Sequence, residues 1–248
     1  MASEALSDPE IREFVARGCG ILALSGQSDM IWGHVSCRDP LGRGIWMKGH
    51  ELGFEEVTPE DVVLLSFDGE VLFGTRRRHS EYPIHTEIMR ARPDVACVVH
   101  THARQATAFA AKAVPLRPIS HDGCLFVPPD IARFDLTGDL IRTRELGEEI
   151  AHSIGERNAM LIPNHGLVAV GASVPQGVMT AILLARACEV QLLAGEVAQW
   201  SSDDEALSKR DHCWAPSQLD LGWAYWSRQL EKALNYDVAG VRDRGSSR

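Results

Sequence analysis

The segment 98–102, Val-Val-His-Thr-His, brings two histidines to one face of a strand. Two apolar residues run directly into His100 and His102. Because successive side chains of a strand alternate between its faces, these two imidazoles point the same way. A second apolar run, 161–166 (Leu-Ile-Pro-Asn-His-Gly), also contains a histidine at its end, His165. Three neutral imidazoles that leave a fourth position open are typical of a catalytic metal site. The pattern favours such a site over the alternative, unrelated polar residues at strand ends.

The composition is that of an ordinary soluble protein. The chain has 248 residues, of which 45% are hydrophobic and 24% charged, and its net charge is −9. This length allows one large domain or two small ones. The negative charge disfavours nucleic-acid or anionic-membrane binding. We also expect no membrane partner, because no fully apolar run approaches the ~20 residues that span a bilayer.

The cysteines and the N-terminal residues favour a cytoplasmic location. Six cysteines are scattered along the chain without a Cys-x-x-Cys pair, and we interpret them as reduced thiols. The first fourteen residues are acidic and polar, unlike a secretory signal peptide. We therefore expect a cytoplasmic protein.

Segments with helical and strand-like periodicity alternate along the chain. The predicted helices cover about 8–25, 81–91, 104–112, 143–156, 174–193 and 217–234. The predicted strands cover about 30–38, 44–48, 62–66, 71–73, 96–101, 159–162 and 166–170, with a loop at 115–136. Frequent hairpin signals indicate an α/β fold with a sheet of much antiparallel character, covered by helices on both faces as one domain.

Glu81 stands at the start of the predicted helix that leads into the histidine strand, nineteen residues before His100. Here the chain resembles the class II aldolase/adducin family. The resemblance rests on the Ser80-Glu81 pair, the His-x-His, the Asn-His-Gly at 164–166 and the Arg-Pro-Asp-Val at 92–95. It covers about residues 10–200. Without the histidines, Glu81 would be interpreted only as a carboxylate stabilised by a helix dipole.

The resemblance implies a fold, a cofactor and an assembly. The fold would be a single three-layer α/β/α domain over residues 1–248, with a largely antiparallel central sheet, a core at about 10–200 and a C-terminal helical tail at about 217–236. It implies one divalent cation per chain, held by His100, His102 and His165, with Glu81 as the acid/base residue. It also implies a homotetramer with active sites between subunits. Imidazole ligands suit Zn, Mn, Fe or Co.

Three segments depart from the sugar-phosphate aldolases of that family, which cradle phosphate with small hydroxyl, Asn and Gly groups. Here they contain Trp32, Lys48 with His50, and His79 with Ser80. A flat apolar face beside cationic or switchable donors suits an aromatic ring that bears carboxylates. We therefore interpret these five residues as candidate substrate-binding residues, with core packing as an equal alternative for Trp32.

Two further polar features have open interpretations. The run Arg76–Arg78 is interpreted as a solvated turn rather than a substrate clamp. His121 lies in a polar loop cluster with Asp122. It either faces the metal pocket as a proton donor or is a loop histidine bonded to Asp122.

The resulting hypothesis is a divalent-metal-dependent, non-oxidative decarboxylase of a hydroxylated aromatic or pyridine (di)carboxylate. Two alternatives remain: a class II aldolase that cleaves a hydroxyketone or a sugar phosphate, and a non-catalytic, adducin-like binding protein. The complete histidine set argues against the last. We expect a small-molecule substrate and a homo-oligomer, most simply a tetramer, because a short tail carries four aromatic residues: Trp214, Trp223, Tyr225 and Trp226.

Overall fold

The strands of the protein form one sheet in the computed structural model, which describes residues 6–196 and 199–245. Within this part of the chain the strands are β1 (His34–Arg38), β2 (Ile45–Lys48), β3 (Val62–Leu65), β4 (Val71–Phe73), β5 (Cys97–Thr101), β6 (Ala132–Arg133), β7 (Ala159–Ile162) and β8 (Gly166–Gly171). Their order is β4-β3-β2-β1-β5-β8-β7-β6. All neighbours are antiparallel except β6 and β7, which are parallel.

The helices differ greatly in length. They are α1 (Asp8–Leu22), α2 (Tyr82–Ala91), α3 (Arg104–Ala110), α4 (His121–Cys124), α5 (Arg144–Ile154), α6 (Val174–Ala194), α7 (Asp203–Cys213) and α8 (Pro216–Gly245). Short 3-10 turns at Phe54–Glu56 and Pro59–Asp61 connect β2 to β3, and a π-helical turn, Ala23–Gln27, follows α1.

Two apolar cores lie on opposite faces of the sheet, as strand alternation requires. On β5, Cys97 and Val99 belong to the core that contains α1, α3 and α6, whereas Val98 belongs to the core that contains α2 and α5. The three-layer α/β/α fold with a largely antiparallel sheet is therefore confirmed. His100 lies two residues beyond Val98, so it faces the α2 layer.

Helix α6 packs on β8, β5, α3 and α8. Among the described residues it is the one helix whose length and composition would allow it to cross a membrane, and 67% of its most apolar window is buried inside the protein. A core helix between layers has the same properties.

The predicted and observed elements differ where turns or polar faces interrupt the pattern. The strand predicted from residue 30 begins at His34, because Met30 and Gly33 adopt positive φ angles of 49° and 77° in a turn. The predicted loop 115–136 contains α4 and β6. Helix α7 was not predicted, since its sequence is polar almost all round and buries only Ala206. The first five residues of the N-terminal segment lie outside the described residues.

Candidate metal centre

Three elements bring the predicted metal ligands together at one end of the sheet. Strand β5 carries His100 and leads directly to His102, while the turn between β7 and β8 carries His165. Asn164 in that turn has a φ of 61°, which asparagine tolerates better than most residues. Glu81 precedes the first residue of α2. One potential ligand atom from each of these four residues lies within 4.8 Å of the other three.

In His100 and His102, Nδ1 is hydrogen-bonded to the protein, which leaves Nε2 free to coordinate a cation. The His100 Nδ1–H donates to the carbonyl oxygen of Leu167 at 2.9 Å, and the His102 Nδ1–H donates to Asp29 Oδ2 at 2.9 Å. These acceptors assign the tautomer in which Nε2 carries the lone pair. The two Nε2 atoms lie 3.1 Å apart.

The third imidazole completes a donor set that fits a divalent cation. Both ring nitrogens of His165 are buried without a hydrogen-bond partner. A buried, unpaired polar atom is costly, and coordination of a cation by one of these nitrogens would remove part of that cost. Three imidazoles, with a carboxylate or a carbonyl behind two of them, are the usual surroundings of such an ion. His100, His102 and His165 are therefore the residues that would hold it.

Glu81 faces this histidine cluster from the start of α2. Its Oε1 accepts the Ile141 N–H at 2.8 Å and lies 3.6 Å from His165 Nε2. Its Oε2 lies 3.8 Å from His34 Nε2 and 3.9 Å from His100 Nε2. Burial raises the pKa of Glu81, but the imidazoles of His165 and His34 outweigh it and hold this pKa well below its usual range. Glu81 is therefore a carboxylate at neutral pH.

A buried hydrogen-bonded chain stands behind Glu81, and sequence reasoning missed it. His34 is the cross-strand partner of His100, and the two rings stack at 5.0 Å. His85 Nε2 lies 2.6 Å from His34 Nδ1, and His85 Nδ1 lies 2.7 Å from Ser36 Oγ. Burial lowers the pKa of His34 well below its usual value and lowers the pKa of His85 to about 3.

One signal in the sequence could have found part of this chain. His85 follows Glu81 by four residues, which places both on one face of a helix. Sequence analysis assigned no role to His85, and its full burial against His34 and Ser36 makes it part of this chain.

The candidate substrate-binding residues fall into a buried pair and an exposed group. His79 is 3% exposed, and its ring lies 4.2 Å from His34 and 4.9 Å from His50. Burial and the charge of Lys48 lower the pKa of His79 to about 4. Lys48 is completely buried, and its Nζ donates to the Ile31 carbonyl at 3.1 Å. Its charged head is thus already bonded to the protein.

Trp32, His50 and Ser80 are at least partly accessible. Trp32 is 43% exposed, so the alternative that it packs in the core is wrong. Ser80 is exposed directly before Glu81, and His50 is half-buried beside His79. These three residues remain free to contact a ligand.

His121 is not brought together with the histidine cluster. It is exposed at the start of α4, where its Nδ1 lies 3.7 Å from Cys213 Sγ and its carbonyl accepts the Trp214 Nε1–H at 2.6 Å. Asp122 pairs with Arg186 at 3.0 Å, so Asp122 does not hold His121 as one interpretation required. A role of His121 as proton donor stays a prediction.

The comparison with family models agrees with the fold and with the cluster. Residues 13–192 match the model described as "Class II Aldolase and Adducin N-terminal domain". This match covers most of the chain and includes all four residues of the cluster. The chain therefore belongs to the class II aldolase/adducin family.

Similar proteins include enzymes of two kinds. The chain is 30% identical to the 3,4-dihydroxyphthalate decarboxylase of Arthrobacter keyseri, over 89% of this chain and 93% of that protein. It is 33% identical to the "Meiotically up-regulated gene 14 protein" of Schizosaccharomyces pombe, over 68% of this chain and 66% of that protein. Its structure is similar to the L-fuculose 1-phosphate aldolase of Glaciozyma antarctica, with a TM-score of 0.82, 24% identity, and coverage of 95% and 96%. The last likeness concerns the fold alone.

Proposed function

We propose that this protein is a divalent-metal-dependent, non-oxidative decarboxylase of a hydroxylated aromatic or pyridine (di)carboxylate. The observation that carries the proposal is the cluster of His100, His102, His165 and Glu81 within 4.8 Å. The Nδ1–H groups of His100 and His102 donate to fixed acceptors that orient the two rings. A solvated or purely structural histidine does not need this orientation. An adducin-like binding protein would not require this arrangement.

The chemistry needs an ion and a proton carrier. A divalent cation held by the three histidines would act as a Lewis acid toward a chelating hydroxyl and carboxylate pair of the substrate. Zn, Mn, Fe and Co all suit imidazole ligands. Glu81 is ionised and buried, so it can accept the proton of the substrate hydroxyl.

Glu81 can then supply the proton that the ring carbon needs after decarboxylation. The bond between the ring carbon and the carboxylate breaks, CO2 leaves, and Glu81 returns the same proton to the ring carbon. The Ile141 N–H at 2.8 Å holds the carboxylate in place during both transfers. His34 presents its Nε2 to the other oxygen at 3.8 Å.

The surroundings of the cluster support a decarboxylase over an aldolase. His79 and Lys48 stand where sugar-phosphate aldolases of the family have small neutral groups, and Trp32 offers an exposed flat face. The similarity to a dihydroxyphthalate decarboxylase extends over nearly the whole of both chains. Because Lys48 is buried and bonded to Ile31, we now assign it to shaping the pocket rather than to contacting the substrate.

An assay of both reactions tests the proposal. We expect CO2 release from one member of a panel of hydroxylated aromatic and pyridine dicarboxylates, and no aldehyde release from sugar phosphates. His100→Ala should abolish activity, whereas His152→Gln, on an exposed position of α5, should not. Aldehyde release without any CO2 release would establish the aldolase alternative.

Assembly and location complete the proposal. Exposed apolar residues on α8, Leu221 and Tyr225, support a homo-oligomer, and we propose a tetramer with active sites between subunits. In such an assembly His121, which contacts Cys213 and Trp214 in its own chain, would act in the site of another subunit. The free cysteines, five of them buried, support a reducing cytoplasm.

A further inference from the structure

A positively charged cavity, open to solvent, includes Ser80, the residue that precedes Glu81. It has a volume of about 590 Å³ and is lined by His50, Val71, Arg77, Arg78, Ser80 and Arg142. In a chain with a net charge of −9, three arginines around one cavity form an unusual concentration of positive charge. Such a concentration attracts anions.

The backbone holds the arginine segment in this position. The His50 N–H donates to the Arg77 carbonyl at 2.9 Å, and Arg76 Nε donates to Asp61 Oδ1 at 2.9 Å. Gly49 permits the close approach, because a Cβ at that position would lie 2.6 Å from both Arg76 Cβ and the Asp61 carbonyl oxygen. The backbone of this segment is thus fixed, and the side chains of Arg77 and Arg78 are exposed to solvent, as the sequence indicated.

Two of the arginines carry charges that the protein does not neutralise. Arg76 pairs with Asp61, and Arg77 pairs with Glu51. Arg78 lies over the Tyr82 ring at 4.3 Å. Within residues 6–196 and 199–245, neither Arg78 nor Arg142 has a side-chain hydrogen bond or an ion pair. Arginine forms bidentate bonds to carboxylate and phosphate groups.

Two residues that line the cavity, Ser80 and Arg142, are sequence neighbours of Glu81 and of its hydrogen-bond donor Ile141. Ser80 directly precedes Glu81, and Arg142 directly follows Ile141, whose N–H donates to Glu81 Oε1. His50 contacts His79, which lies against His34 beside the cluster. We therefore expect a ligand at the metal centre to extend an anionic group toward this cavity.

We infer that this cavity, through Arg78 and Arg142, binds the anionic group of the substrate that does not lie at the metal centre. The inference rests on the proposed function, in which that group is the carboxylate that is retained. A phosphate has the same charge and oxygen geometry, so the two sources must be distinguished by experiment. Glu51 is the anionic group beside the cavity, and it faces Arg77 and His50.

The test is calorimetric binding of phthalate, benzoate and inorganic phosphate to the full-length, metal-loaded protein. Arg78→Gln and Arg142→Gln should each weaken phthalate binding by about tenfold, the loss of one charge-assisted pair, and should leave benzoate binding unchanged. Lys112→Gln, which removes an exposed cation from a different cavity, should change neither. Glu51→Gln frees Arg77 and should strengthen phthalate binding.

The outcomes separate the inference from the proposed function. Unchanged phthalate binding in Arg78→Gln and Arg142→Gln proteins with wild-type melting temperatures overturns the inference. Phosphate binding that exceeds phthalate binding and is lost in both variants supports the cavity as an anion site but overturns the carboxylate as its occupant. If phthalate binding depends on both arginines while no acid in the panel loses CO2, the inference stands and the proposed function fails.

Discussion

The buried histidine chain behind Glu81 makes the fold sensitive to acid, and His85 offers a measurable share of that sensitivity. Burial lowers the pKa of His85 to about 3, whereas an unfolded chain has a histidine pKa of about 6.5. Between these values the unfolded state binds a proton that the folded state excludes. The contribution of His85 to stability is therefore complete above pH 6.5 and is lost as the pH falls toward 3.

The magnitude follows from linkage. Between pH 7 and pH 5, one histidine with these two pKa values lowers the free energy of unfolding by about 2 kcal/mol. His85→Gln removes that dependence. At pH 7 the same variant loses the bonds to His34 and Ser36, at 2.6 and 2.7 Å, which costs about 1–3 kcal/mol. The variant should thus be less stable than wild type at pH 7 but less sensitive to acid.

Urea unfolding of the chelator-treated protein at pH 7, 6 and 5 measures both effects. His152→Gln is the matched control, because it removes an exposed histidine from α5, and it should keep the wild-type acid dependence. If His85→Gln loses as much stability between pH 7 and pH 5 as wild type, then His85 is not held neutral by burial and the reasoning is refuted.

Substitutions around the cluster separate metal binding from proton transfer and test the assembly. Elemental analysis should find one divalent cation per wild-type chain and none in His100→Ala. Asp29→Asn weakens the acceptor of His102 Nδ1–H and should lower metal affinity by about 10–100-fold; unchanged affinity would contradict the orienting role. Glu81→Gln should keep the metal and lose turnover by about 10²-fold, and full turnover would remove Glu81 from the mechanism. Sedimentation should find a tetramer at micromolar concentration, and a monomer would contradict the proposed assembly.

Local patterns in the sequence were enough to predict the layers and the candidate ligands of the site. Alternation along β5 and helical periodicity in α2 and α5 depend on residues close together in the chain, so the α/β/α fold could be predicted. The His-x-His works in the same way, because the strand itself places His100 and His102 on one face.

The tertiary structure decided which polar groups are buried and which are free. Sequence analysis placed Lys48 among the substrate-binding residues and Arg76–Arg78 in a solvated turn, but packing buries Lys48 against Ile31 and leaves Arg78 and Arg142 around a cavity. It also joins His34, on β1, to His85, on α2. Desolvation and pairing depend on contacts between segments that lie far apart in the chain, and no local pattern of residues encodes them.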